Sequence, residues 1–373
     1  MAVCCDMLSV ARGAGAARVK SLGFRPPGFV LDAELQWVLQ RALGPLSWQP
    51  TSPVCGQRSV NIALRLDVAA RIAARQPRPR LEQELGPAAS QRLREQYVAT
   101  VAREALLEHA LNALIERARA ADVPCVLLKY AALSRMGVLR VGSRVAGDID
   151  VLVPQTSATR FQAELVRNGY KEVSFQESAH QLPILQDPTG SLVELHLHLP
   201  GVSLGPAQPF ATADDLISAG LTRQLGNALV PDPVIVTAHA IAHGLVQHAR
   251  APHSYSALKA FADLADLGQA GFGAFERAGD FLKAAMTEAD LMSALTLARA
   301  LQQGDLATAM LGPTGVLLRH ALAGRLDRGY SIRLFARMLT QPGPTSVHLT
   351  TGRLVFALRE VWNWACSSEN PQR

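Results

Sequence analysis

Over residues 32–43 the apolar positions Leu35, Val38, Leu39 and Leu43 recur at helical spacing, behind Asp32, a residue able to cap the first turn. The same period predicts a second helix over 60–74 and a long one over 90–121, where Leu107, Leu111, Leu114 and Ala118 share one stripe. Between these two, QPRPR at 76–80 reads as a linker. Residues 1–28 carry little pattern, so 1–121 is expected to be mostly helical.

The period changes at PCVLLK (124–129), a short apolar run opened by proline and expected to be a buried strand. A short helix over 131–137 should end at Gly137, 138–147 reads as loop, and GDIDVLVP reads as a strand closed by Pro154. Thr156 or Ser157 can cap a helix through Arg167, with Gly169 just past its end. Two extended runs flank QDPTG (186–190), a hairpin turn signal. In the second, SLVELHLHL, Val193, Leu195, Leu197 and Leu199 take one face, and Glu194, His196 and His198 take the other. After Gly201 helices are expected to the end, the clearest over 233–247 with Asp232 as cap and Pro233 in its first turn. The fold class is therefore α+β. A core at 122–205 lies between an N-terminal helical region (1–121) and a C-terminal helical domain (206–373).

Composition narrows the function classes. Apolar residues make up 49% and charged ones 18% of 373, the balance of a folded globular chain rather than a disordered one. No apolar run reaches the roughly 18 residues that span a bilayer, and the N-terminus lacks the order of a signal peptide. The five cysteines, Cys4, Cys5, Cys55, Cys125 and Cys366, form no CxxC pair, as expected of reduced thiols in the cytoplasm. Net charge is +6 with a pI near 9.3, which permits an anionic partner. Yet five lysines leave 32 arginines among the 37 basic residues, spread along the chain, and aromatics are only 5%. A dedicated nucleic-acid surface is not favoured.

The chemistry concentrates at RVAGDIDVLV (144–153). Along a strand, Asp148 and Asp150 share a face about 6.5–7 Å apart, while Ile149, Val151 and Val153 fill the other. Carboxylates held that close repel unless a cation lies between them, and a hard divalent ion with oxygen ligands answers that need. The alternative is a pair facing water or bonded to Arg144. Glu194, on the polar face of another strand, would converge with them if the strands are neighbours. Three such acids suit a two-metal phosphoryl-transfer site. Lys129 and Arg144 are placed to offset phosphate charge.

LLKYAALSRMG, RVAGDIDVLVP and VELHLHL together resemble the uncharacterised nucleotidyltransferase family of the polymerase-β-like superfamily, over about 100–270. The resemblance implies a small mixed sheet bearing three metal-binding acids. It also implies Mg²⁺-dependent transfer of a nucleoside monophosphate from an NTP to an acceptor hydroxyl, with Mn²⁺ as the alternative ion and ATP as the default donor. By position Asp148 and Asp150 take the paired metal-ligand role, Glu194 the third acid, and Lys129 the phosphate side. Two positions depart from the family pattern: Tyr130 stands for the glycine after the lysine, and Leu197 for a tryptophan. Glycine at 130 would let backbone N–H groups approach phosphate, whereas tyrosine would crowd that approach or lie on a base or acceptor. The acceptor stays open among small molecules, peptides, proteins and RNA.

Two rivals follow from other residues. His196 and His198 form HxH, and His239 and His243 form HxxxH, spacings that can bind zinc. With Asp150 or Glu194 they would make a zinc- or iron-dependent hydrolase, although no HExxH is present. Otherwise these histidines make ordinary hydrogen bonds or touch substrate. A member that binds nucleotide or peptide without turnover is the second rival. His180 is a minor candidate for the cleft. GAG at 13–15 lacks a preceding strand, no GxxxxGK[ST] occurs, and Ser203 of GVSLG precedes prolines rather than the helix a nucleophile elbow needs. Cys125 is expected in the core. Asp263 and Asp266 are expected on a solvent or interdomain face, or else orienting a basic residue of the site.

Overall fold

The computed structural model describes residues 32–44, 49–173, 180–205, 210–248, 257–272, 275–284, 286, 288–305 and 322. GAG at 13–15, Cys4, Cys5, Cys366, part of the first extended run (174–179) and any helix beyond 305 other than Leu322 lie outside the described residues.

Asp32 caps α1 (Ala33–Leu43), its carboxylate accepting from the Leu35 N–H at 2.9 Å. The single helix expected over 60–74 is instead two, α2 (Gly56–Arg65) and α3 (Ala69–Arg75). Between them Asp67 takes φ +57, a left-handed conformation that breaks a right-handed helix and that aspartate tolerates better than most residues. The expected linker at 76–80 instead opens α4 (Arg78–Leu85). Pro77 caps it and Pro79 falls in the first turn, where a missing N–H costs nothing. α5 (Pro87–Ala120) runs 34 residues and buries Leu107, Leu111, Leu114 and Ala118, the predicted stripe.

The strands are β1 (Val126–Leu127), β2 (Asp148–Leu152), β3 (Lys171–Glu172), β4 (Leu185–Gln186), β5 (Leu192–His196), β6 (Thr222–Leu225) and β7 (Ala228–Pro231). They form one sheet in the order β3-β4-β5-β2-β1-β7-β6. β2 with β5 and β1 with β7 pair parallel and the other pairs are antiparallel, so the sheet is mixed. Between strands lie α6 (Lys129–Arg135), α7 (Gln155–Arg167) and α8 (Ala213–Ser218). The β4–β5 turn is held by the Asp187 carboxylate, which accepts the N–H groups of Thr189 and Ser191. β6 and β7 arise where helix was expected. TRQLGNALVP alternates poorly because β6 is an exposed edge strand, and only Gly226, at φ +61, marks its hairpin.

After Asp232, whose carboxylate accepts from the Val234 N–H, comes α9 (Pro233–Ala240), continued by π-helical turns over Ile241–His248. α10 (Ala257–Gln269), α11 (Phe275–Asp280) and α12 (Glu288–Gln303) complete the described helices. Gly244 is required where the π turns meet α10, since a Cβ there would lie 2.0 Å from that of Ala260.

Two cores sandwich the sheet. One side chain set (Leu127, Ile149, Val151, Val193, Leu195) packs with Phe161 of α7 and the second half of α5. The opposite set (Val126, Leu128, Leu152) packs with α1–α4 and α9–α12. Burial of each such Leu, Val or Phe contributes roughly 1.5–3 kcal/mol. Asp148, Asp150 and Glu194 alternate with the first set, so they project toward the side covered by the C-terminal helices.

Candidate active site

The site forms because β2 and β5 run parallel and in register, with Asp150 opposite Glu194 and Leu152 opposite His196. Asp150, Glu194 and His196 thus converge, one ligand atom from each lying within 4.8 Å of the others. Asp150 and His196 are buried, and the Glu194 side chain is 12% exposed. The His196 Nε2–H donates to Asp150 Oδ1 at 2.9 Å, and Nε2 lies 3.5 Å from Glu194 Oε2. Asp148, one pleat earlier and opposite Leu192, is half-buried and stands outside this trio.

Lys129 enters from the neighbouring strand. The Leu128 N–H bonds the Asp150 carbonyl at 3.0 Å. Lys129 itself takes φ +44 at the start of α6, a left-handed setting uncommon outside glycine. That turn brings Nζ to 2.6 Å from Asp150 Oδ1, where it donates. Arg144 arrives from the loop before β2. Its Nε donates to Asp263 Oδ1 of α10 at 2.8 Å, and both side chains are buried. α5 steadies this loop: Gly142, at φ +72, gives its N–H to Glu104 at 2.6 Å, and a Cβ there would strike the Tyr97 ring at 2.4 Å.

The charges respond to one another. Burial, then Asp150 and Glu194, push Asp148 up to about 6 against the pull of Lys129. Burial alone would raise Asp150 too, but Lys129 and His196 hold it below the usual carboxylate range. His196 is opposed by burial yet raised by its bonds to Asp150 and Glu194. Burial pushes His180 and His239 down to about 3 and His198 down to about 4, so all three are neutral near pH 7. Three carboxylates, Asp148, Asp150 and Glu194, on one face of the sheet, with the compact trio, suit a divalent cation, whose ligands sit about 2.0–2.6 Å from it.

Beside the trio a pocket lies between α6, α9, the π turns and α10. Leu128, Leu133, Ile235 and Val236 give it apolar walls, and Lys129, Arg144, His239, His243 and Asp263 its polar edge.

Of the residues singled out from sequence, the structure gathers Lys129, Asp150 and Glu194, keeps Asp148 on the same strand face, and sets Arg144 at the cleft wall. His196 joins the acids directly. The His180 ring lies 5.8 Å from His196 and 6.1 Å from His198, His198 stacks on Phe210 at 4.7 Å, and His239 lies 5.6 Å from His243. Asp263 and Asp266, expected on a solvent or interdomain face or else orienting a basic residue of the site, are both buried, bonded to Arg144 and Arg71. The signal for this was their spacing on an apolar helix stripe with Leu264 and Leu267. Tyr130 does not line the cleft. It is buried in the core beneath α5, with the Arg144 guanidinium 6.0 Å from its ring. Ser203 sits in a loop, its Oγ donating to the Gly205 carbonyl at 2.7 Å, and Cys125 is buried.

A family model described as an uncharacterised nucleotidyltransferase matches residues 56–303, about two thirds of the chain, and the protein belongs to that family. No curated protein and no solved structure matches it.

Proposed function

We propose that this member of the nucleotidyltransferase family transfers a nucleoside monophosphate from an NTP, ATP by default, to an acceptor hydroxyl. In that reaction the acceptor oxygen bonds the α-phosphorus, the bond from that phosphorus to the β-phosphate bridging oxygen breaks, and pyrophosphate leaves. The hydroxyl proton passes to solvent. The single observation that carries the proposal is the in-register pairing of Asp150 with Glu194, which joins two strands' acids beside a cleft edged by two cations.

Asp150 and Glu194, with Asp148 beside them, are the residues that would hold Mg²⁺ or Mn²⁺. A divalent ion there supplies positive charge for the phosphates and acidifies a bound hydroxyl. His196 orients the Asp150 carboxylate through its 2.9 Å bond. Lys129 and Arg144 neutralise phosphate charge, Arg144 held in one orientation by Asp263. The apolar walls exclude water and strengthen these interactions. Among the described residues no helix is long and apolar enough to cross a membrane, and a cytoplasmic setting, where NTPs are supplied, belongs to the same proposal.

The His196 contact favours one second reading, a zinc- or iron-dependent hydrolase. Against it, the His196 Nε2 that faces the acids is already committed to Asp150 at 2.9 Å, and the sequence holds no HExxH. Incubation with each α-labelled NTP, Mg²⁺ or Mn²⁺ and host extract should label an acceptor. Asp150→Asn, Glu194→Gln and Asp148→Ala should abolish the label while leaving the protein folded. Labelling that survives in Asp150→Asn, or tightly retained zinc after dialysis, would overturn the proposal. Partner binding without turnover would point to a scaffold.

A further inference from the structure

Lys129 and Arg144 both line the cleft, but they are tethered differently. Arg144 is bound to Asp263, a residue outside the acid cluster. Lys129 is bound to Asp150, one of the trio that could hold an ion, with Nζ 2.6 Å from Oδ1. The same oxygen also receives His196 Nε2–H at 2.9 Å, so it already serves two donors.

We infer that Lys129 is an exchangeable counter-ion, which yields Asp150 when a divalent cation binds and then turns its ammonium toward the triphosphate in the cleft. This rests on the nucleotidyltransferase proposal above and adds a coupling to it. A dication on the Asp150 carboxylate would bring two positive charges within a few ångström of Nζ, in a site shielded from water, and the two repel. The compact ammonium rides on a flexible four-carbon stem, so Nζ can move while the backbone stays. Its destination is the cleft, since Lys129 already forms part of that wall together with Arg144. Without metal Asp150 stays paired with Lys129, and the site gains a second phosphate-binding cation only once a metal has displaced it. Metal and triphosphate must then bind cooperatively, and linkage makes the effect reciprocal.

Two measurements test this. First, Mn²⁺ is titrated into the wild-type protein with and without an α,β-methylene NTP analogue. The analogue should tighten Mn²⁺ by about tenfold, within the usual range of coupling. Second, the same titrations are run on Lys129→Met and Lys129→Arg, with circular dichroism to confirm the fold. Lys129→Met should bind Mn²⁺ alone several-fold more tightly than wild type, because the competing charge is gone. It should bind the analogue about tenfold more weakly in the presence of Mn²⁺. Lys129→Arg, which keeps the competing charge, should not show the gain in metal affinity. Equal or weaker Mn²⁺ binding by a folded Lys129→Met overturns the exchange while leaving the metal site standing. Failure of wild type and Lys129→Met alike to bind Mn²⁺ overturns the metal site itself.

Discussion

Arg144 and Asp263 meet at 2.8 Å across 119 residues of sequence, joining the loop before β2 to α10. Both are buried, so removal of one partner deprives the other of its 2.8 Å counter-charge.

Asp263→Asn should therefore raise the KM for NTP about tenfold or more while changing kcat less, since the anchoring of a phosphate-binding cation is lost and the acids stay in place. Asp263→Ala should also lower stability by about 3–5 kcal/mol. Steady-state kinetics and urea unfolding check the two parts. A change in kcat alone would count against this role.

Tyr130, the residue after Lys129, packs beneath α5 instead of facing the cleft. Tyr130→Gly should thus destabilise the protein by about 3–5 kcal/mol, as deletion of a buried aromatic does, and should not improve nucleotide binding. Tyr130→Phe should keep most activity. Thermal unfolding with NTP-analogue titration separates these outcomes from a tyrosine that contacts substrate.

Gly244 lets the π turns approach α10, where a methyl group would meet Ala260 at 2.0 Å. Gly244→Ala should cost about 1–3 kcal/mol through overpacking, and should deform the cleft wall that His239 and His243 share. The paired substitution Gly244→Ala with Ala260→Gly should recover much of the loss, as read from unfolding midpoints.

Burial holds His239 neutral, with its pKa down at about 3. Unfolded, the same side chain takes a proton near pH 6.5. Between these values the unfolded chain binds more protons, so His239 contributes stability that is present at neutral pH and shrinks as pH falls below about 6.5. From pH 7 to pH 5 the wild type should lose about 2 kcal/mol more than His239→Gln. Asp148, raised to about 6, works in the opposite direction over the acid range, which is why the comparison with His239→Gln is the decisive quantity. Denaturant midpoints of the two proteins at both pH values measure it.

Much of the site was legible because its residues obey a local rule. The i, i+2 spacing of Asp148 and Asp150 and the alternation through Glu194 and His196 state which side chains share a strand face, whatever the rest of the chain does. What local pattern does not encode is adjacency. The sequence placed the acids on faces, but only the parallel β2–β5 pairing puts Asp150 opposite Glu194. His196 carried several readings because HxH spacing is indifferent to whether the ring meets a metal, a carboxylate or solvent. Asp263 was hard to place because its partner lies 119 residues away. The edge hairpin β6–β7 escapes local pattern for a different reason: an exposed edge strand need not alternate, so its period carries little signal. Similarly, the prolines at 77 and 79 read as a linker although proline also suits a helix's first turn.

The late hairpin matters for how the molecule comes into being. β7 flanks β1, the strand that leads directly into Lys129, so a nascent chain that has reached only residue 205 presents that flank as an open seam. The pair Arg144 and Asp263 cannot close until α10 has been synthesised. Contacts of such long sequence separation form slowly. A growing chain therefore carries both acid-bearing strands before it carries the helices that wall the cleft.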